Sequence, residues 1–519
     1  MQNRFSFRVA SLFLLLLFTF SFARAQADLE TKLKEIDAYA EKARAGWNVP
    51  GFAIAIVKDD KVVFTKGYGV REVGKTTPVD EHTLFAIASN SKAFTSAALA
   101  ILVDEKKLNW DDKVTKYLPD FQMYDPYATR EMTVRDLLSH RSGLITFGGD
   151  LLWYQTTYKP EEVLYRVRYL KPTFSFRARY GYQNIMFLAA GMIVEKITGK
   201  SWDAFIKERF FVPLGMTSSN TSIKEFKANG NVATPHNDKT GVNKPIQYDN
   251  VDNAAPAAAI NSCVADLAQW MRLQLGRGTI DGKTIFSRQR SWEMWQPNIA
   301  IPISEAGAQF NPTRHFNLYG LGWALSDYHG RKIVSHGGGL DGMISQTALI
   351  PEENLGVVVL TNSETPVNTI MQNKVFDVFL NVTPRRDWSA ELLERAKAGK
   401  EAEAKAEKEV EASRMMNTKP SLALEKYVGT YISTMYGDAK IEMENGKMVL
   451  RLVPTPSFVA DLEHWHYDAF RLTWRASVQY PFPKGFVIFK LDDKGQPAEM
   501  KIDNPNPDFN FDELEFKRK

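Results

Sequence analysis

The stretch FAIASNSKAFTSAALAIL, residues 85–102, constrains this chain most, because it combines a helical apolar pattern with a serine and a lysine three residues apart. Phe94, Ala97, Ala98, Ile101 and Leu102 fall at i, i+3, i+4, i+7 and i+8, which predicts an amphipathic helix facing a core. Ser89 and Lys92 stand at its start and share a face, so the lysine nitrogen can reach the serine hydroxyl. Unpaired backbone N–H groups and the positive dipole end at a helix start favour charge developing on that oxygen. Ser89 is therefore a candidate nucleophile. A Ser-x-x-Lys pattern also arises about twice by chance in a chain of this length, and an N-cap serine followed by a surface lysine explains it as well. Other stretches have to decide between the two.

The first 25 residues carry Arg4 and Arg8, an apolar run from Leu12 to Phe20 and a terminal Ala23-Arg24-Ala25, the pattern of a cleavable secretory signal. The mature chain is expected to begin at Gln26 and to be periplasmic or secreted. It should have no transmembrane anchor, since no later stretch approaches ~20 apolar residues. The formal charge of +4 includes the three arginines of this segment, so the remainder is close to neutral and nucleic-acid binding is not expected. Cys263 is the only cysteine, which excludes an intramolecular disulfide; in NSCVADLAQW it reads as a small buried hydrophobe.

Two runs, Phe52–Val57 and Val62–Gly69, flank a KDDK turn and predict a β-hairpin. His140, in LLSHRSGL, reads as a hydrogen-bonded structural residue and is given no catalytic role. In RYGYQNIMFLAAGMIVEKITGK the apolar positions Ile185, Leu188, Ala189, Met192, Ile193 and Ile197 predict a buried helix ending at Gly199. Tyr182 and Asn184 stand at its mouth. A tyrosine near a lysine can have its pKa lowered and act as a base, and an asparagine can hold a lysine or a substrate amide. A turn tyrosine with an N-cap asparagine is the bland alternative. In RKIVSHGGGLDGMISQTALIPEENLGVVVLTN three β-branched runs predict adjacent antiparallel strands. Glycines after His336 mark a close backbone approach, either a substrate pairing with the strand edge or a simple bulge. The aromatic stretch DLLWYQTTY, with Trp153 and Tyr154, is expected to edge the cleft.

Taken together, the Ser-x-x-Lys, Tyr-x-Asn and His-Gly-Gly motifs, with VPGFAIAIVKDDKVVFTKGYGV, LLSHRSGL and YGLGWALSDYHGRKIVSHGGG, resemble serine hydrolases of the class C β-lactamase and penicillin-binding-protein fold, over roughly residues 29–382. That group includes DD-carboxypeptidases, D-aminopeptidases and esterases. The resemblance implies Ser89 as acyl-accepting nucleophile, Lys92 and Tyr182 as proton-transfer partners and Asn184 as an orienting side chain. It implies His336 and Gly338 at the substrate, and an oxyanion hole from the N–H groups of Ser89 and Gly339. It implies no metal or organic cofactor, and a small-molecule or short peptide or ester substrate. His336 stands where many β-lactamases carry lysine. With an ordinary pKa of ~6.5 it would be mostly neutral at pH 7.5 and mostly cationic at pH 5.5, binding a carboxylate better at the lower pH. A true β-lactamase and a catalytically idle peptide- or glycan-binding protein are the rival readings.

The expected fold is α+β. An antiparallel sheet is flanked by helices with an inserted helical subdomain over residues 26–383. An Ala/Glu/Lys-rich helical linker follows over residues 384–420, and then a small all-β barrel-like domain over residues 421–519, where strand-like runs alternate with NG and KG turns. The solvated linker predicts few contacts between the barrel and the rest.

Overall fold

The computed structural model describes residues 26–238 and 242–519; the segment of residues 1–25, which carries the signal-peptide reading, lies outside the described residues. Among the described residues no helix is long and apolar enough to cross a membrane.

The first hairpin, Gly51–Lys58 and Lys61–Gly69, turns at Asp59 and Asp60, both at positive φ (52° and 62°), the backbone a two-residue I′ hairpin turn requires. It continues into one eight-stranded antiparallel sheet in the order Lys61–Gly69, Gly51–Lys58, Leu355–Thr361, Met343–Ile350, Arg331–Leu340, Ala324–Tyr328, Asn317–Tyr319 and Ile299–Ala300. The chain's first hairpin and its three later consecutive strands are thus neighbours, as the sequence suggests. Gly51–Lys58 reads as a continuous apolar run because both its faces are covered. Phe52, Ile54 and Ile56 pack with Val357 and Val359 under the helix of residues 26–46 and the helix Val367–Phe379. Ala53, Ala55 and Val57 face the opposite core with Phe94, Leu102 and Met271. Full burial of Ile54 and Ile56 contributes about 1.5–3 kcal/mol each.

The helix that follows Ser89 runs through that second core as Ser91–Asp104, preceded by a 3-10 turn, Ala88–Asn90. Here the structure departs from the amphipathic expectation, since Ser91 through Leu102 are all buried. Two of its hydroxyls are absorbed internally: Thr95 Oγ1 donates to Pro256 O (2.6 Å) and accepts from Trp202 Nε1 (3.0 Å), and Ser91 Oγ accepts from Ile260 N (3.1 Å). The backbone partners of Thr95 and Ser91 lie some 160 residues away in the chain, so a local pattern does not reveal them.

The charged segment forms a single 25-residue helix, Trp388–Ala412, of which only Trp388 and Ser389 are buried. Beyond it eight strands from Gly429–Ser433 to Phe516–Arg518 run up and down and close, with Tyr431 paired to Arg518 and Ile432 to Lys517. Closure leaves the barrel no unpaired edge. The expectation of few contacts between barrel and catalytic region does not hold. Tyr158 Oη donates to Tyr436 O (2.5 Å), Thr157 N to Pro454 O (2.9 Å) and Gly149 N to Glu513 Oε2 (2.8 Å). The Tyr154 and Phe509 rings lie 4.6 Å apart. A solvated linker says nothing about where the domain beyond it docks.

Candidate active site

Of residues 85–90 only Ser89 is not buried. Its turn is clamped to the Arg331–Leu340 and Met343–Ile350 strands: Ser345 Oγ donates to Ile87 O (2.7 Å) and accepts from Asn90 Nδ2 (2.9 Å). Ala88 is left-handed (φ 47°), a conformation that costs a non-glycine residue about 1–2 kcal/mol and is held here by those bonds. Gly338 lies against the same turn, where a Cβ would come within 2.2 Å of Ile87 O and 3.0 Å of Ser89 N. A side chain there would push the strand off the turn that carries Ser89. Pairing with Ala324–Tyr328 ends at Ser335, so residues 336–340, Gly339 among them, present an open strand edge beside Ser89.

Lys92 is fully buried, and its Nζ lies 2.9 Å from Ser89 Oγ, 2.6 Å from Asn184 Oδ1 and 3.1 Å from Ala257 O. Burial pushes it down to about 7, against the pull of Asp150. Two of its three neighbours are carbonyl oxygens, which only accept. A neutral amine can therefore satisfy both with N–H and has one hydrogen-bearing group left for its lone pair, the Ser89 hydroxyl.

Asn184 is not an N-cap: Gln183 holds that position and Asn184 is the first residue of the helix Asn184–Thr198. Its Nδ2 donates to Asp150 Oδ2 (2.6 Å) while its Oδ1 accepts from Lys92, an orientation fixed by an amine donor on one side and a carboxyl acceptor on the other. Asp150, buried, also accepts from Trp153 Nε1 (2.8 Å) and is pushed up to about 7 by burial, against these donors and Lys92. Lys92 and Asp150 therefore titrate as a linked pair through one amide.

Tyr182 is hydrogen-bonded to Ser89, and its ring lies 4.7 Å from Lys92 Nζ. Its hydroxyl moves opposite to the sequence expectation: burial pushes it well above the ordinary value, and the Ser89 contact opposes this only in part. The phenol holds its proton in the resting site.

His336 is likewise corrected. Its Nδ1 is 2.6 Å from Gly337 O, a pure acceptor, so Nδ1 carries the proton and Nε2 accepts from Tyr319 Oη (2.8 Å). Burial, reinforced by Lys92, holds it down to about 3. It stays neutral across the range in which the sequence expectation had it switch. His140, given no role from sequence, sits in the same cluster: its ring lies 4.1 Å from that of Tyr182 and 4.4 Å from that of Tyr319, and its Nδ1 accepts from Gln183 N (3.0 Å).

These residues floor a cavity of about 680 Å³. The structure brings Ser89, Tyr182, Asn184, His336, Gly338 and Gly339 together on its lining, with Lys92 directly beneath Ser89. Trp153 and Tyr154 line it, as expected for the aromatic stretch. Sequence reasoning missed Asp150, Tyr319, Asp341, Glu364 and the barrel residues Tyr480, Asp508 and Phe509, all on the same lining. Asp150 had a signal, an acid opening an otherwise aromatic and apolar run; the barrel residues had none.

The chain matches the family described as Beta-lactamase over residues 36–375, and a domain of unknown function, DUF3471, over residues 413–518. Among characterised sequences it is 29% identical over 422 residues to the unguisins hydrolase ungD' of Aspergillus campestris (strain IBT 28561), covering 78% of this chain and 76% of that protein. It is 28% identical over 339 residues to protein flp of Staphylococcus aureus (strain NCTC 8325 / PS 47), covering 63% of each. The fold is similar to that of the octameric penicillin-binding protein homologue from Pyrococcus abyssi, with a TM-score of 0.61 at 22% identity over 94% of this chain and all of that one. A D-stereospecific amidohydrolase from Streptomyces sp. superposes with a TM-score of 0.52 at 22% identity, over 66% of this chain and 97% of that one. With its family matched across most of its length, the chain belongs to the β-lactamase family of serine hydrolases.

Proposed function

We propose that this protein hydrolyses an amide or ester through an acyl-enzyme on Ser89. The observation that carries the reading is the surrounding of Lys92 Nζ, where, of its three hydrogen-bond partners among the described residues, Ser89 Oγ (2.9 Å) alone can donate to a neutral amine. With burial holding that lysine at about 7, a large share is free amine at neutral pH, ready to take the serine proton. The Ser89 oxygen then bonds to the substrate carbonyl carbon, and the carbonyl oxygen becomes an oxyanion received by the N–H groups of Ser89 and Gly339. Tyr182, a phenol in the resting site, relays the proton from Lys92 to the leaving nitrogen or oxygen as its bond to carbon breaks. Water enters by the reverse path: it passes a proton by way of Tyr182 to Lys92 as it attacks the ester carbon, and Lys92 returns that proton to the Ser89 oxygen as its bond to carbon breaks. Asn184 and Asp150 hold the lysine in place. His336 positions Tyr319 and the strand edge rather than presenting a charge.

The β-lactamase reading draws no support from the cleft, because no lysine or arginine lines it among the described residues to receive a penicillin carboxylate. Export to the periplasm or medium rests on the leader pattern of residues 1–25. The test is labelling of the purified protein with a fluorophosphonate, followed by a panel of amide and ester substrates. Labelling at Ser89 and turnover of at least one substrate are expected; an unlabelled Ser89 in folded protein refutes the assignment.

A further inference from the structure

The loop of residues 144–150 holds the two motif residues that open the helix Asn184–Thr198. Both backbone polar groups of Tyr182 end on it: Tyr182 N donates to Thr146 Oγ1 (3.1 Å) and Tyr182 O accepts from Phe147 N (2.8 Å). Gln183 Nε2 donates to Ile145 O (2.5 Å), and Asp150, at the end of the loop, accepts from Asn184 Nδ2 (2.6 Å). The rings of Phe147 and Tyr182 meet edge to face, 5.5 Å apart. Displacing the loop therefore displaces the Tyr182 phenol. Phe147 is left-handed (φ 60°), a conformation that a non-glycine residue keeps only where its surroundings hold it. Part of that hold comes from the barrel. Asn510 Nδ2 donates to Thr146 O (3.1 Å) and Glu513 Oε2 accepts from Gly149 N (2.8 Å); Thr146 O and Gly149 N have no other hydrogen-bond partner among the described residues. Asn510 stands at the N-cap of the 3-10 turn Phe511–Glu513, so the two grips are three residues apart on the barrel as they are on the loop. The turn is itself fixed, because Phe511 is buried 5.4 Å from Phe482 and 5.8 Å from Trp474, ring centre to ring centre. Gly148 gives the carboxyl room, since a Cβ there would stand 3.1 Å from Glu513 Oε1. Neither Asn510 nor Glu513 is on the cavity lining, so both reach the site through the loop and not through the substrate.

We infer that Asn510 and Glu513 of the barrel are positioning residues for proton transfer, gripping the loop that keeps Tyr182 in reach of Ser89 and of the leaving group. This rests on the acyl-enzyme reading and deepens it, because it gives the barrel a part in the chemistry. The Ser89 turn is held separately by Ser345, and Lys92 is held by Ala257 O as well as by Asn184. Loosening the grip therefore spares the nucleophile and its base and weakens protonation of the leaving group. That loss matters most where the leaving group is strongly basic.

The test compares kcat/KM for p-nitrophenyl butyrate and ethyl butyrate in the full chain, since both give the same acyl-enzyme and their leaving groups differ in basicity. Rates are counted per Ser89 labelled by a fluorophosphonate, so that unfolded protein drops out of the comparison. Asn510→Asp, which sets an acceptor against Thr146 O, and Glu513→Ala should each lower kcat/KM for the ethyl ester about tenfold and for the p-nitrophenyl ester less than about twofold. Glu513→Gln keeps an oxygen for Gly149 N and should stay within about twofold of the wild type on both esters. Asn510→Ser, a milder change at a half-buried position, carries the same expectation as Asn510→Asp if the other two fail to fold. Unchanged rates in these variants overturn the inference, as do equal losses on the two esters, which a general loosening of the fold would give. A wild type that does not label at Ser89 removes the acyl-enzyme reading and this inference with it, whereas equal losses in labelled protein remove the inference alone.

Discussion

The floor and the mouth of the cleft both hold charge in a confined space, and they handle it differently. At the floor one lysine is enclosed by carbonyl acceptors and a hydroxyl, and burial drives it toward the neutral form that chemistry requires. At the mouth several carboxylates share an opening with aromatic rings. The floor is closed around Lys92, whose hydrogen-bond partners all come from within; the mouth is open to the substrate. Acyl transfer needs a fixed proton inventory, whereas selectivity needs an unfinished one.

The largest expected effect breaks the floor. Ser89→Ala should lower turnover at least a thousandfold, because a lost nucleophile normally costs several powers of ten. Lys92→Arg should be nearly as severe: it keeps a cation but no base, so steady-state assays that return more than about one per cent of wild-type activity would place the proton elsewhere.

Removing the roof comes next. Ending the chain at Thr383 exposes Tyr154 and strips the mouth of Tyr480, Asp508 and Phe509; kcat/KM should fall about ten- to a hundredfold and the melt should shift down by several degrees. Calorimetry and kinetics on the truncated protein decide this, and an unchanged melt with unchanged selectivity would make the barrel a bystander.

A smaller effect sharpens the electrostatics of the floor. Activity should fall as pH drops through about 7, because Lys92 becomes ammonium. Asp150 favours that charged form, so Asp150→Asn should free the amine at lower pH and move the acidic limb of the kcat/KM profile down by about one unit. A limb that stays in place would mean that Asp150 only positions Asn184.

The smallest effect concerns His336, which titrates far below the assay range. His336→Gln should change the rate by only a fewfold and leave the shape of the profile between pH 5.5 and 7.5 intact. Penicillin adducts, followed by intact mass, should form more slowly at pH 5.5 than at pH 7.5, the direction set by Lys92; faster labelling at the lower pH would restore a charged histidine.

Much of the floor was legible in the sequence because its parts are local. Ser89 and Lys92 lie one helical turn apart, Tyr182 and Asn184 open a helix, and the glycines after His336 are the residues a strand needs to touch a turn. Charge states were not legible, because they depend on enclosure. Tyr182 and His336 are both driven away from their ordinary values by neighbours that the local sequence does not name. The same holds for Asp150, whose partner Asn184 is 34 residues away, and more so for Asp508, which meets Ser89's cavity from beyond a 25-residue helix.

That helix has a consequence for how such a protein can change over generations. It joins two modules by a rod with almost no buried side chains, so those loops of the second module that do not pack on the first can be redrawn without disturbing the interior of the first. Substitutions in the loops around Tyr480 and Asp508 would retarget the enzyme toward new compounds while its acyl-transfer apparatus is inherited intact. Diversity in what is cleaved can therefore accumulate in a different part of the gene from the part that does the cleaving.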